Sequence, residues 1–141
     1  VDLAPSIPEA QRWLQQAKSD LQAAHSDVRH SCPNWVLFKV HQALEKALVA
    51  AVLSLGEASR VPAELMEVAR QLDTAEPELQ GLEEEVGWLC GQGMDGKATQ
   101  YPCYHPFPIT PDQAFRSLEE EEVLKWGQRM LERLEKHVGS M

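Results

Sequence analysis

The sequence predicts an all-α protein, an up-and-down helical bundle of about five helices. It forms one domain over residues 1–141, with its core at about 8–138. Three observations predict this. Apolar residues recur at three- and four-residue steps through several long stretches, the period of a helix with one buried face. Helix starts are marked by proline-containing capping boxes, Ser6-Ile-Pro-Glu9 and Thr110-Pro-Asp-Gln113. The connection Ser31-Cys32-Pro33 is so short that the helices it joins must be antiparallel neighbours.

The chain is organised around the stretch from Pro33 to Leu55. Leu37, Phe38, His41, Leu44, Leu48, Ala51, Val52 and Leu55 form its apolar stripe, Lys39, Gln42 and Lys46 fall on the opposite side, and Gly56 stops it. Burying the seven apolar side chains is worth on the order of 10 kcal/mol of gross stabilisation. Ahead of it, residues 1–5 read as a tail. A first helix should run from Ile7 to near His30, with Trp13, Leu14, Ala17, Leu21, Ala24 and Val28 inward. After Gly56, Pro62 opens a shorter helix to about Leu72. Pro77 then restarts the chain into a seam of Leu79, Leu82, Val86 and Leu89, ending near Gly91 or Gly93. Residues 91–109, with three glycines and three prolines, form a loop whose tyrosines and phenylalanine argue for packing. A last long helix is predicted from Pro111 to about His137. Phe115, Leu118, Val123, Met130, Leu131, Leu134 and Val138 point inward there, and Glu119–Glu122 lie in solvent.

Charge narrows the function classes. With 22 acids against 13 bases and a net charge of −9, the chain has no broad basic face for extended nucleic acid. A local pocket for one nucleotide is compatible with that balance. No apolar run reaches the ~20 residues that span a bilayer, and the sequence shows no signal-peptide pattern. Three widely separated cysteines, Cys32, Cys90 and Cys103, read as reduced thiols of a cytoplasmic protein. The start at Val1, directly before a helix, predicts a domain excised from a longer chain.

Chemistry-bearing motifs are sparse. His30/Cys32 and Cys103/His105 are lone pairs, short of a zinc site, and no metal is assigned. Gly91-Gln-Gly-Met-Asp-Gly96 has no strand before it, so it is not a phosphate cradle. His41, on the apolar stripe, reads as a core histidine, with Glu45 one turn on as its candidate partner.

Two motifs in order carry a resemblance. The helix bearing His41-Gln-Ala-Leu-Glu-Lys-Ala-Leu48 resembles the second-helix signature of the HEPN family. The segment Gln100-Tyr-Pro-Cys-Tyr-His-Pro-Phe-Pro108 is similar to the Arg-Tyr-Pro loop that precedes the last long helix in that family. Glu9-Ala-Gln-Arg-Trp-Leu-Gln-Gln-Ala17 and Asn34-Trp-Val-Leu-Phe-Lys39 extend the likeness over about Pro8 to Val138.

The resemblance implies a helical module that binds a nucleotide and forms a homodimer within a larger chaperone-related protein carrying a DnaJ segment. Many members are instead ribonucleases. They use an arginine separated by four to six residues from a histidine, the first stabilising the scissile phosphate and the second moving protons. Here Gln100 stands where the arginine belongs, with His105 at the right distance, and Arg133 to His137 is one residue short. A neutral amide supplies no cation. The expectation is therefore a non-enzymatic module that requires no cofactor and takes ATP or GTP as ligand. Its nucleotide-binding candidates are Lys39, Lys46, Lys97, Gln100, Tyr101 and His105. Its dimer-interface candidates are Tyr104, Phe107 and Ile109, on a loop too apolar for solvent unless the rings fold back on their own bundle. The alternatives are a metal-independent ribonuclease using His105 and a ligand-free interaction scaffold.

Overall fold

The computed structural model describes residues 1–28, 32–91, 97–116 and 119–139. His30, Ser31, residues 92–96 and Leu118, all named above, lie outside them. Among the described residues the helices are α1 (Ile7–Val28), α2 (Pro33–Ser54), α3 (Leu65–Ala75), α4 (Leu82–Gly91), α5 (Pro111–Ala114) and α6 (Glu120–Gly139). Short 3-10 turns occupy Pro77–Leu79 and Pro102–Tyr104. The all-α bundle is as the periodicity predicts.

α2 sits at the centre, packed on α1, α6 and α3. Its burial goes well beyond one stripe. From Ala47 to Ser54 every residue is buried, and Val36, Leu37, Val40, Ala43 and Leu44 join them. The predicted wet side is therefore a correction. Lys39, Gln42 and Lys46 are half-buried because α1 covers that side. At the junction of α1, α2 and α6, Gly127 allows close approach. A Cβ there would lie 3.2 Å from Val40 Cγ1 and 3.3 Å from Leu21 Cδ1.

Other elements depart from expectation for identifiable reasons. The N-terminal residues are no tail. Asp2–Leu3 (β1) pairs antiparallel with Ser59–Arg60 (β2), and Val61 N–H donates to the Val1 carbonyl at 2.9 Å. This pairing keeps 59–61 extended, so α3 begins at Leu65 and not at Pro62. Leu79, Leu82, Val86 and Leu89 are buried as a seam, but Gly81, at φ +90°, separates the 3-10 turn from α4. The long C-terminal helix is in fact α5 and α6. α5 has its Thr110/Gln113 capping box, and Phe115 leaves helical geometry. α6 opens with Glu120, Glu121 and Glu122 in its first turn, where the helix dipole favours carboxylates. Val123, Met130, Leu131, Leu134 and Val138 are inward as predicted, together with Trp126 at 6 % exposure.

Candidate functional site

Among the described residues between α4 and α5, turns and side-chain contacts anchor the chain from Lys97 onward. Gln100 and Tyr101 N–H groups both donate to the Lys97 carbonyl, at 3.1 and 2.9 Å, closing one turn. His105 N–H donates to the Pro102 carbonyl at 2.9 Å, closing the 3-10 turn, and Ile109 N–H donates to Pro106 at 2.8 Å. Thr99 and Asn34 are both buried, and Asn34 Nδ2 donates to the Thr99 carbonyl at 3.1 Å. Asn34 thus ties the segment to the first turn of α2. At its other end, His105 stands edge-on to the buried ring of Phe115, with centroids 5.7 Å apart. His105 Nε2 lies 2.6 Å from the Ala98 carbonyl. A carbonyl oxygen only accepts, so Nε2 carries the proton.

These anchors turn the backbone inward and leave the rings outside. Tyr101 and Tyr104 are each 52 % exposed, Phe107 97 % and Ile109 39 %. The rings do not fold back on their own bundle. Trp35, next to Asn34 at the start of α2, is also exposed and meets Phe38 edge-on at 5.6 Å. Aromatic surface on α2 therefore adjoins the anchor of the aromatic segment.

The other candidates are not brought to one place. Lys97 to His105 are one folded unit. Lys39 and Lys46 lie on α2 roughly 7 and 18 Å beyond Asn34, at about 1.5 Å per residue. Both are held by carboxylates of α1: Lys39 Nζ is 2.7 Å from Asp27 and Lys46 Nζ 2.6 Å from Asp20. Lys46 instead shares a groove of about 310 Å³ with Arg12, Trp13 and Gln16. Sequence reasoning misses those three residues. A signal for them exists, since positions 12, 13 and 16 share one side of a helix turn. Glu9 holds two of them, accepting from Arg12 at 2.6 Å and from Trp13 Nε1 at 3.0 Å, while the Gln16 amide donates to Asp20 at 2.9 Å. The Arg12 guanidinium holds the Glu9 carboxyl below its ordinary range, with burial opposing.

His41 is half-buried on α2. The Glu45 carboxyl is pushed up by burial and pulled down by the Ala63 backbone N–H. Cys32 and Cys90 are half-buried and Cys103 exposed, none of them in a disulfide, and burial raises the Cys90 thiol.

Comparison with known proteins places this architecture. The HEPN domain family model matches residues 10–136. The chain belongs to the HEPN family. Human sacsin is 33 % identical over 109 residues, which is 77 % of this HEPN domain and 2 % of sacsin. The domain thus spans only about 2 % of the length of that relative. The crystal structure of TT1696 from Thermus thermophilus superposes with a TM-score of 0.74 at 27 % identity. The match covers 92 % of this chain and 98 % of that one. No helix among the described residues of the HEPN domain is long and apolar enough to cross a membrane.

Proposed function

We propose that this HEPN domain is a non-catalytic homodimerisation and nucleotide-binding module of a larger, chaperone-associated cytoplasmic protein. The observation that carries the reading is the ring-bearing segment 101–109. Its backbone is fastened at Asn34 and Phe115, while Tyr101, Tyr104, Phe107 and Ile109 stand in solvent. Anchored apolar rings in water carry a free-energy cost that association removes. A second copy of the chain is the occupant, with the two segments meeting near the dyad. Sedimentation velocity tests this: wild type should be a dimer at micromolar concentration, and Tyr104→Glu and Phe107→Glu should be folded monomers. A buried, unpaired carboxylate costs several kcal/mol at such an interface. Two folded dimeric variants, or a monomeric wild type, would refute the placement.

The groove of Arg12, Trp13, Gln16 and Lys46 supports the nucleotide part. An indole face can stack a purine, an amide can read its edge, and two cations can meet phosphate oxygens. Arg12 is paired with Glu9 and Lys46 with Asp20, so a bound triphosphate would exchange with these carboxylates for the two cations. Among the earlier candidates, Lys46 lies in this groove. Calorimetric titration with ATP and GTP should give saturable heat that Trp13→Ala and Lys46→Gln reduce. Absence of heat at millimolar nucleotide removes this half of the reading and leaves the dimer standing.

Two observations support the non-catalytic character. Gln100 puts a neutral amide at the arginine position of the ribonuclease pattern, and His105 Nε2 is engaged by the Ala98 carbonyl. His105 is thus read as a brace of the segment. RNA incubated with wild type and with His105→Ala should show equal background cleavage.

A further inference from the structure

The groove assigned above to a nucleotide carries its own counter-charges, and they are placed in a regular way. Arg12, Trp13 and Gln16 stand on α1 and Lys46 on α2, around a space of about 310 Å³. Glu9 lies three and four residues before Arg12 and Trp13, and Asp20 four residues after Gln16. Those five α1 residues therefore share one face of the helix. The two carboxylates divide the lining between them. Glu9 Oε1 accepts from Arg12 Nη2 at 2.6 Å and from Trp13 Nε1 at 3.0 Å. Asp20 Oδ1 accepts from Gln16 Nε2 at 2.9 Å, and its Oδ2 accepts from Lys46 Nζ at 2.6 Å. Each carboxylate thus holds one cation and one neutral donor.

That division has two consequences. The first is electrostatic. An anion entering the groove meets cations that are already neutralised, and it gains only by taking them from their carboxylates. Arg12 is exposed, so its pair with Glu9 costs little to break. Asp20 and Lys46 are both half-buried, so that exchange is the larger step, with Gln42 Oε1 at 3.5 Å as a second acceptor for Lys46. A phosphate chain brings several negative charges to these exchanges, and a neutral nucleoside brings none. The second consequence is geometric. The indole and the amide carry no charge for a phosphate to seek, so each stays on its carboxylate when the cation leaves. Glu9 and Asp20 can then release the cations without releasing the side chains that would meet a base.

We infer, resting on the nucleotide reading above, that Glu9 and Asp20 gate this groove: they compete with the ligand's phosphates for Arg12 and Lys46 and hold Trp13 and Gln16 in position throughout. Affinity is then set by how many negative charges the ligand brings to the exchange. Both carboxylates lie outside the lining itself, and they act on the ligand through the four residues that they hold.

The test is calorimetric titration of the 141-residue chain and its variants with three probes: ATP, tripolyphosphate and adenosine. Glu9→Gln removes the charge and keeps an acceptor for the Trp13 N–H. It should tighten ATP and tripolyphosphate about twofold and leave adenosine unchanged, with the circular dichroism unaltered. Asp20→Asn, at the more buried pair, should tighten both phosphates about fivefold. Glu9→Ala removes the acceptor as well. It should match Glu9→Gln on tripolyphosphate and fall below it on ATP and adenosine, a split that a merely structural role for Glu9 would not produce. Wild type that binds ATP, beside variants that bind it no tighter, overturns the gate and leaves the nucleotide reading standing. So does a gain for adenosine equal to that for ATP. A silent wild type beside glutamine and asparagine variants that bind ATP saturably supports the gate and contradicts the nucleotide reading. No heat from wild type or from either variant overturns both.

Discussion

α2 and the segment from Lys97 to Ile109 touch through Asn34 and Thr99, yet they are held by opposite means. The second half of α2 is buried on every side, so its position is set by the hydrophobic effect acting over many side chains. The segment contributes almost no apolar surface to the core. Among the described residues it is held to the bundle by the Asn34 amide on the Thr99 carbonyl and by the edge of His105 on Phe115, and it is braced internally by the His105 ring nitrogen on the Ala98 carbonyl. The difference teaches where stability and function lie in this HEPN domain. Apolar side chains that α2 hides make the fold, and the apolar side chains that the segment displays are those the proposed dimer would cover.

If that division holds, damage to the two regions should differ in kind. Leu48, 1 % exposed in the middle of α2, lies within the buried core and has little room to collapse. Leu48→Ala should cost about 2–5 kcal/mol of global stability, read as a lower denaturant midpoint with an unchanged slope. Asn34→Ala should act locally. It removes the Asn34 donor from the buried Thr99 carbonyl, a cost of about 1–3 kcal/mol. Hydrogen exchange should then accelerate over residues 97–105, while the amides of α2 beyond its first turn keep their protection. A uniform rise in exchange across the domain would show that the segment is part of the same cooperative unit as α2.

Much of this is legible in the sequence. Proline and the capping boxes mark the starts of α1, α2 and α5, and three-four periodicity gives the inward residues of α4 and α6 and those of α1 except Trp13 and Val28, which are half-buried. The errors come where a tertiary contact overrides a local signal. Pro62 looks like a helix start, but pairing of Asp2–Leu3 with Ser59–Arg60 keeps the chain extended past it. The predicted C-terminal helix is too long because Glu119–Glu122 resembles a solvated face. The same acids, preceded by Ser117, are also a helix-start signal. Of the candidate site, the aromatic segment is visible as composition, but whether its rings face in or out is not. That depends on Asn34 and Phe115, which lie outside it. Lys39 and Lys46 fall to solvent in a periodic reading because periodicity cannot say that α1 covers that side with Asp27 and Asp20. The groove of Arg12, Trp13 and Lys46, and the pairing of the Trp88 and Trp126 rings, require two helices to be placed side by side.

A smaller effect sharpens the comparison from within α2. Burial raises the Glu45 carboxyl above its unfolded value, and the Ala63 N–H offsets only part of this. Folding therefore disfavours the ionised form. The cost is present at neutral pH and disappears as pH falls through the raised value towards the ordinary carboxylate range. Glu45→Gln keeps an acceptor for Ala63 and removes the charge. It should raise Tm at pH 7 by roughly 2 °C, with the gain vanishing in acid. A gain that persists unchanged in acid would show that ionisation is not its source.

The central claim is that the exposed rings of 101–109 meet a second copy of the chain, and the exposed thiol of Cys103 sits among them. With Cys32 and Cys90 replaced by serine, a short thiol-to-thiol cross-linker should join two chains through Cys103 at micromolar protein. Adding Phe107→Glu should abolish that product while the fold is retained. Failure to cross-link a protein that sediments as a dimer, or equal cross-linking with and without Phe107→Glu, would contradict the account.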